Sequence, residues 1–256
     1  MTQRHNGGRD DRILLEGPQS RLRDFFLVLR ATNDFIRGFR RLHFVGPCVT
    51  VFGSARFTDD HPYYTLGRDI GAGLSRLGFT VMTGGGPGLM EAANRGAKEA
   101  GGRSVACNIT LPREEDPNPY LDHSVRVHHF FVRKVLLFKY SYAFVALPGG
   151  FGTMDELFEA LTLVQTGKID SFPIVLMGTS YWRRLLHLIH RMEHEGTISA
   201  NDRRLWLATD DLDEALAHIK AHTIDRFGLL ARRMQRPSRM LAEPRMERPP
   251  GARTGH

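Results

Sequence analysis

A glycine-rich stretch at residues 148–156 carries the residue types best suited to chemistry in this chain. It reads Pro-Gly-Gly-Phe-Gly-Thr-Met-Asp-Glu, follows an apolar, strand-like run and leads into a helical pattern that ends at Gln165. Glycines at such a junction let the backbone turn tightly and approach a ligand, because no Cβ stands in the way. The free N–H groups and the positive dipole end of the following helix favour a phosphate group. The stretch therefore predicts a phosphate-binding loop.

Glu156, the last residue of this stretch, distinguishes it from a loop that only binds phosphate. A carboxylate beside an anion-binding loop is electrostatically unfavourable unless it acts on the ligand, so the pattern favours an active site. A structural interpretation is also open, because Thr153-x-x-Glu156 fits a helix capping box. Asp155 is the nearest competing carboxylate. It should project about 100° further around the helix, so both acids cannot face the same point.

The stretch resembles the P-G-G-x-G-T-x-x-E signature of the Lonely Guy (LOG) family of phosphoribohydrolases. These proteins act on cytokinin riboside monophosphates and AMP, and they are often misnamed lysine decarboxylases. Two further segments resemble the same family. One is the helical segment 130–137, in which the pair Arg133-Lys134 begins 23 residues before Glu156. The other is the segment 83–94, which reads Thr-Gly-Gly-Gly-Pro-Gly-Leu-Met-Glu-Ala-Ala-Asn. The likeness spans about residues 47–216, and three ordered motifs make it specific.

The resemblance implies hydrolysis of an N-glycosidic bond, with Arg133 and Glu156 as the catalytic pair. Cleaving that bond builds positive charge on the ribose, which a carboxylate can stabilise or relieve by activating water. Arg133 could hold ribose hydroxyls, orient Glu156 or stabilise the departing base, so the separate roles of the pair stay open. The 5′-phosphate is expected on the loop residues Gly149, Gly150, Gly152 and Thr153.

Further substrate contacts are expected from neighbouring turns and helices, at Gly53, Ser54, Gly85, Gly86, Glu91, Asn94 and Lys134. Four of these residues have structural alternatives. Ser54 and Glu91 could each cap a helix, Asn94 could bond to backbone groups, and Lys134 could form a salt bridge or a subunit contact. Met90-Glu91 and Phe130-Phe131 replace the Met-Gly and Met-His of short plant-type members. Both departures fit a longer bacterial-type branch and leave the preferred base open.

Apolar runs and helical patterns alternate along most of the chain. Strands are predicted at 48–52, 79–83, 104–109, 143–147, 174–177 and 206–209. Helices are predicted at 63–77, 89–100, 129–141, 156–165, 181–194 and 211–222. This alternation implies an α/β fold with a doubly wound, mostly parallel Rossmann-like sheet and helices on both faces. Three Gly-bearing turns should then meet at the carboxyl ends of the strands, where such sheets bind ligands.

Composition and charge indicate one folded domain between two tails. A disordered tail is predicted at 1–19, a single domain at 20–228, and a basic disordered tail at 229–256. The domain begins with an extra helix at 20–42, which has Ser20 as its N-cap and could pack across the domain or against another subunit.

The net charge of +7 does not indicate specific nucleic-acid binding, since the basic excess lies at the ends. Residues 1–44 carry +4, residues 229–256 carry +5, and the remainder carries −2. No apolar run approaches the ~18 residues of a membrane span. Cys48 and Cys107 lie in predicted strands, where reduced, buried thiols indicate a cytoplasmic protein.

No metal and no organic cofactor is expected. His128 and His129 are adjacent and lack the spacing of metal ligands. Lysine decarboxylation would need a lysine placed to form a Schiff base with pyridoxal phosphate, and none lies in a Gly-rich loop. A dinucleotide dehydrogenase would need a G-x-G-x-x-G turn after the first strand, which is absent.

Two other classes of function stay open. The same loops could hold a nucleotide or another phosphorylated ligand in a non-catalytic sensor or carrier. An interaction protein acting through its basic tails is the third possibility. The favoured interpretation is hydrolysis of AMP or a cytokinin riboside 5′-monophosphate to free base and ribose 5-phosphate. The resemblance implies a homodimer or a higher homo-oligomer for such an enzyme.

Overall fold

The computed structural model of the protein describes residue 17 and residues 20–110, 116–169 and 172–225. Except for Gly17, the predicted tails at 1–19 and 229–256 lie outside these residues. Within the described part, no helix is both long enough and apolar enough to cross a membrane.

Seven strands form one sheet in the order β4-β3-β2-β1-β5-β6-β7, and each neighbouring pair is parallel. The strands are β1 Cys48–Phe52, β2 Thr80–Thr83, β3 Ser104–Ile109, β4 His123–Val127, β5 Ser141–Ala146, β6 Ile174–Leu176 and β7 Trp206–Ala208. The helices are α1 Arg21–Leu42, α2 Pro62–Arg76, α3 Leu89–Glu99, α4 Phe130–Tyr140, α5 Phe151–Gln165, α6 Thr179–His194 and α7 Leu212–Lys220. The predicted Rossmann-like α/β fold is confirmed.

Helices cover both faces of the sheet. One apolar cluster joins the strands to α1, α4, α5 and α6, through residues such as Leu42, Leu136, Leu157 and Trp182. A second cluster joins the other face to α2, α3 and α7, through residues such as Ile70, Ala93 and Ile219. Strands covered on both sides form near-continuous apolar runs, which explains why β1, buried throughout and polar only at Thr50, was recognisable in the sequence.

The first helix, α1, packs on the sheet with only its second half. Ser20 is its N-cap, as predicted, and the Ser20 side chain accepts a hydrogen bond from the Arg23 N–H (3.4 Å). The buried residues of α1 are Ala31, Asp34, Gly38 and Leu42. Their spacing of three or four residues places them on one helical stripe. This helix therefore packs across the domain, which was one of the two predicted alternatives.

Strand β4, which was not predicted from the sequence, forms one edge of the sheet. Its residues alternate in exposure, with Val125 and Val127 buried and His123 and Arg126 exposed. An edge strand with only two buried apolar residues lacks the continuous apolar run of the inner strands.

The start of α5 also differs from the prediction. The helix begins at Phe151 rather than at residue 156, and Gly150 is its N-cap. Glycine disfavours helix interiors, so the sequence pattern suggested that the turn extended past Gly152. The first helical positions tolerate glycine, because their N–H groups have no intrahelical partner. The capping-box interpretation is therefore wrong, since Thr153 lies inside the first turn.

Candidate active site

The candidate site lies at the topological switch point of the sheet. Strands β1 and β5 are neighbours, and the chain leaves their carboxyl ends toward opposite faces, to α2 and to α5. The two turns touch, because the Ser54 N–H donates to the Pro148 carbonyl oxygen (3.0 Å). The start of α3 joins them, as the Leu89 N–H donates to the Ser54 carbonyl oxygen (2.9 Å). The three Gly-bearing turns thus meet as predicted, in the crevice where such folds bind ligands.

The start of α5 presents an open side to this crevice. The Thr153 and Met154 N–H groups donate to the Gly150 carbonyl oxygen (3.1 and 3.0 Å), and these are the first hydrogen bonds of the helix. The N–H groups of Phe151 and Gly152 precede them and are of the kind that a helix leaves without an internal partner. Apart from the chain neighbours and the backbone of α5 itself, a Cβ at Gly150 or Gly152 would meet no described atom within 4 Å. Space and donors for an anion therefore coincide at this helix end.

Gly149 and Thr153 pack against each other on the inner side of the loop. A Cβ at Gly149 would collide with the Thr153 hydroxyl, and Thr153 is buried. From outside the loop, the Tyr181 hydroxyl donates to the Gly149 carbonyl oxygen (2.6 Å). Thr153 thus lies where it supports the loop, and Tyr181 is a contact that the sequence did not reveal.

Glu156 lies one turn further along α5 and is only 3% exposed. Its Oε2 atom has no hydrogen-bond partner among the described residues. Burial raises the pKa of this carboxyl from its ordinary 4.5 to about 7. Arg133 and Lys134 lower it, whereas Asp155 adds to the increase. A buried, unpaired carboxyl that titrates near neutrality is a candidate for acid–base or electrostatic catalysis.

Asp155 has a different environment. Its side chain is 51% exposed and pairs with Lys134, whose Nζ lies 2.8 Å from Asp155 Oδ1 and 3.0 Å from Glu159 Oε2. The salt-bridge alternative for Lys134 is therefore observed, and this residue ties α4 to α5 beside Glu156. Burial lowers the pKa of Lys134, but its bonds to the two carboxylates outweigh that effect and raise it. A lysine held protonated in this way is poorly suited to Schiff-base chemistry.

Arg133 reaches the crevice from the first half of α4. Its Nε–H donates to the Cys107 carbonyl oxygen at the end of β3 (3.1 Å). Its guanidinium group lies so close to Gly84 that a Cβ there would collide with it. The Arg133 guanidinium thus lies against the turn after β2, close enough to Glu156 to lower its pKa.

The turn after β2 is held by polar side chains. Gly85 has φ +79°, and a Cβ there would also collide with the Asn108 side chain. The Gly85 N–H donates to Thr83 Oγ1 (2.9 Å). The Asn118 backbone N–H donates to the Gly85 carbonyl oxygen (3.0 Å), and the Asn118 side-chain Nδ2 donates to the Gly86 carbonyl oxygen (3.1 Å). Sequence reasoning missed Asn118, because its contribution depends on a loop that folds back over the turn.

Asn94 lies beneath the same turn and is fully buried. Its Oδ1 accepts from the Thr83 hydroxyl (2.6 Å) and from Asn118 Nδ2 (3.0 Å). Its Nδ2 donates to the Ser104 hydroxyl (2.7 Å). Both amide atoms of Asn94 thus have hydrogen-bond partners inside the protein. Asn94 therefore holds the turn in shape.

The remaining predicted contacts have local partners. Glu91 Oε1 accepts from the Tyr64 hydroxyl (3.0 Å), which links α3 to α2, and Gly88 rather than Glu91 is the N-cap of α3. Ser54 Oγ accepts from the Arg56 N–H (3.1 Å) within the turn and caps no helix. Gly53 packs closely on Leu89, where a Cβ would lie 2.7 Å from the Leu89 Cβ.

Asp34 connects the first helix to this site and was not predicted. It is fully buried, and its Oδ2 accepts from the His128 N–H (2.8 Å). Its carboxylate also pairs with Arg37 and lies 3.5 Å from the His129 ring. His128 and His129 immediately precede α4, and the Arg133 N–H donates to the His129 carbonyl oxygen (3.1 Å). The available sequence signal was an acid on the apolar stripe of α1.

Comparison with known proteins identifies the family. Residues 90–219 match a family model described as "Possible lysine decarboxylase". The cytokinin riboside 5′-monophosphate phosphoribohydrolase of Rhodococcoides fascians is 31% identical over 179 residues, which cover 68% of this chain and 89% of that protein. The enzyme of the same name designated LOG4, from Arabidopsis thaliana, is 31% identical over 179 residues, covering 68% and 82% of the two chains. The chain belongs to the LOG family.

Solved structures show the same fold as this LOG-family protein. A structural-genomics target, TM1055, is 26% identical with a TM-score of 0.51, covering 68% of this chain and 99% of its own. The molybdenum cofactor binding protein of Rippkaea orientalis is 19% identical with a TM-score of 0.52, covering 69% and 96%. The molybdenum cofactor carrier protein of Chlamydomonas reinhardtii is 22% identical with a TM-score of 0.51, covering 69% and 98%.

Proposed function

We propose that this LOG-family protein hydrolyses the N-glycosidic bond of a nucleoside 5′-monophosphate, releasing free base and ribose 5-phosphate. AMP or a cytokinin riboside 5′-monophosphate is the substrate. The observation that carries the proposal is the buried, unpaired carboxyl of Glu156, whose pKa is about 7, one turn from an open helix start. The names of the relatives, which are 31% identical, support the same reaction.

The substrate phosphate binds at the start of α5 in this proposal. Gly150, Phe151 and Gly152 supply backbone N–H groups, and the helix dipole adds a positive potential. Glu156 lies four residues after Gly152 on the same helix, a rise of about 6 Å. A ribose that extends from the phosphate along the helix brings its C1′ toward Glu156.

Cleavage of the N-glycosidic bond depends on how the site handles the charge that develops on the ribose and the base. The bond between C1′ and the base nitrogen breaks, its electron pair leaves with the base, and the ribose develops oxocarbenium character. Ionised Glu156 stabilises that positive charge or takes a proton from the attacking water. The water oxygen bonds to C1′, and the base gains a proton. Arg133, held by Cys107, contacts the departing base or the ribose hydroxyls.

Non-catalytic binding of a phosphorylated ligand is the second candidate. Two proteins with this fold are a molybdenum cofactor binding protein and a molybdenum cofactor carrier protein, so the fold alone does not imply catalysis. A carrier has no evident use for a buried carboxyl that changes its ionisation near neutral pH. Glu156 therefore favours hydrolysis.

A contact between two copies of the chain is also part of the proposal. Large apolar side chains are exposed on α4 and α5, the helices that carry the catalytic pair, at Phe130, Phe131, Val135, Phe151 and Phe158. The exposed fraction of Phe151 is 97%. Exposed apolar surface of this kind is typical of an association site, which supports a homo-oligomer with the crevice near its interface.

The decisive experiment incubates purified protein with AMP, other nucleoside monophosphates and an N6-substituted AMP, and resolves free base and ribose 5-phosphate by chromatography. Adenosine, which lacks the phosphate, is the matched substrate control. The wild type should release base from at least one monophosphate and far less from adenosine. Tight binding of a monophosphate without release of base would overturn the enzyme proposal in favour of the carrier.

A further inference from the structure

Tyr181 contacts the phosphate-binding loop from an element that contributes no motif residue. It lies in the first turn of α6, and its hydroxyl donates to the Gly149 carbonyl oxygen at 2.6 Å. The bond joins residues 32 positions apart in the chain. A direct hydrogen bond to this carbonyl constrains the peptide group between Gly149 and Gly150.

Because the peptide bond is trans, the contact with the Gly149 carbonyl also fixes the direction of the next N–H group. The Gly149 C=O and the Gly150 N–H belong to one planar unit and point in opposite directions. No cis peptide bond occurs in the described part of the chain. Because Tyr181 holds the carbonyl, the Gly150 N–H points away from Tyr181. No hydrogen bond from this N–H to a described residue is found, so it is free to bind a ligand.

Two consecutive glycines would otherwise leave this peptide group free to rotate, since neither residue has a Cβ that restricts its dihedral angles. Gly150 has open space around it, since a Cβ placed there would have no described atom within 4 Å other than those of its chain neighbours. The packing of Gly149 on Thr153 constrains the inner side of the loop, and Tyr181 is the side chain that constrains the peptide from outside.

Tyr181 itself is held in place by the start of α6. Asp210 Oδ1 accepts from the N–H groups of Gly178 (2.7 Å) and Thr179 (2.8 Å), and the Thr179 hydroxyl donates to the other carboxylate oxygen. Gly178 packs on the loop directly, because a Cβ there would lie 2.7 Å from Pro148 Cγ. These contacts give the Tyr181 hydroxyl a defined position relative to the loop.

We propose that Tyr181 is a positioning residue for phosphate recognition, which orients the Gly149–Gly150 peptide so that the Gly150 N–H donates to the phosphate of the ligand. The ligand class is a sugar 5-phosphate or a nucleoside 5′-monophosphate. The inference rests on the proposed function for the identity of the substrate, but its binding test requires no turnover.

The test compares Tyr181→Phe with the wild type by calorimetric titration with ribose 5-phosphate, AMP and adenosine. Losing one oriented donor should weaken ribose 5-phosphate and AMP binding about three- to tenfold and leave adenosine binding unchanged. KM should rise by a similar factor, with kcat within about twofold. Tyr63→Phe is the matched control, because the Tyr63 hydroxyl lies 3.1 Å from Ser180 Oγ on the same helix, outside the loop.

The outcomes separate this inference from the proposed function. Unchanged phosphate binding in Tyr181→Phe overturns the positioning role and leaves the hydrolase proposal standing. An equal loss of adenosine and phosphate binding also overturns it, since that pattern indicates general damage to the fold. If the wild type binds neither ribose 5-phosphate nor AMP, both proposals fail. Asp210→Ala, which frees the start of α6, should weaken the same phosphate ligands in the same direction and serves as the second variant.

Discussion

Arg133 donates its Nε–H to the carbonyl oxygen of Cys107 at 3.1 Å and, within the described part of the chain, forms no ion pair with Glu156. A direct ion pair would satisfy the carboxylate and lower its pKa strongly. Instead the guanidinium acts from a distance, and burial keeps the pKa of Glu156 at about 7. The site therefore holds the Arg133 guanidinium near the Glu156 carboxyl without a direct bond between them, which leaves both groups available to a ligand.

Removing either group should abolish turnover without abolishing binding. We expect Glu156→Gln to lower kcat by about 10²–10⁴ and Arg133→Ala by about 10²–10³. Ribose 5-phosphate should bind Glu156→Gln within about twofold of the wild type, because the phosphate donors are unchanged. Asp155→Asn is the matched control, since its side chain is 51% exposed, and it should keep most of the activity. Steady-state kinetics measures kcat, and calorimetry measures the binding of ribose 5-phosphate. A fully active Glu156→Gln would rule out a catalytic role for Glu156.

The pH dependence of activity should follow the ionisation of Glu156. If the carboxylate is the active form, kcat/KM rises with pH and levels off above about 7. Lys134→Met removes a positive charge and releases Asp155 and Glu159, so it should move this acidic limb to higher pH. Asp155→Asn removes a negative charge and should move it to lower pH.

The substrate phosphate also titrates, near pH 6, but it is common to all variants and cannot produce opposite displacements. The pH–rate profiles of the three proteins provide the measurement. If the acidic limb moved in the same direction in both variants, it would have to be assigned to a group other than Glu156.

The same carboxyl should reduce the stability of the ligand-free protein. Its pKa is about 7 when folded against an ordinary 4.5, so protons are released more readily from the unfolded chain. The contribution of the protonated Glu156 carboxyl to the free energy of unfolding, measured relative to Glu156→Gln, is therefore fully present below pH 4.5. It is lost as the pH rises through 7. The free energy of unfolding of Glu156→Gln minus that of the wild type should be larger at pH 8 than at pH 4, by up to about 3 kcal/mol. Urea unfolding at both pH values measures this gain, and equal differences at both would contradict the assigned environment.

Asp34 should be needed for both the stability of the fold and the placement of Arg133. Asp34→Ala leaves His128 and Arg37 without their shared partner and should cost about 1–3 kcal/mol of unfolding free energy. Burial raises the pKa of Asp34, but its bonds to His128 and Arg37 outweigh that effect and lower it below 3.8. The stabilisation is thus present above pH 3.8 and is lost as the pH falls through the folded-state value.

We also expect Asp34→Ala to lower kcat about tenfold, as a displaced catalytic group typically costs one to two orders of magnitude. Asp24→Ala, an exposed acid on the same helix, is the control and should change neither quantity. Denaturant melts and kinetics on the folded fraction separate the two effects. An Asp34→Ala protein as stable as the wild type would show that the buried network is dispensable.

The exposed apolar side chains of α4 should mediate self-association. Phe131 and Val135 lie four residues apart on one face of α4, where they are 42% and 46% exposed. Phe131→Asp and Val135→Asp should lower the mass measured by light scattering, because they place charge in an apolar contact. Leu188→Asp is the control, since this α6 residue is 52% exposed but distant in sequence from both motifs. A monomeric wild type, or assembly unaffected by both α4 substitutions, would disprove this contact.

Local patterns were sufficient to predict most elements of the fold. Every predicted strand is present, with bounds within two residues of the prediction, because inner parallel strands read as continuous apolar runs. The strand that was missed, β4, lies at the sheet edge and alternates polar and apolar residues. The late predicted start of α5 has a similar local cause, since glycines at its first positions resemble a turn.

The sequence by itself determined the family, the order of all elements except β4 and the convergence of the Gly-bearing turns, because these depend on periodicity, glycine placement and topology. Tertiary structure alone decided the environment of Glu156, since burial by distant elements sets its pKa. It also decided the partners of Arg133, Tyr181 and Asp34, which join residues 26, 32 and 94 positions apart. No local pattern encodes such contacts, because they form only when separate helices and strands pack together.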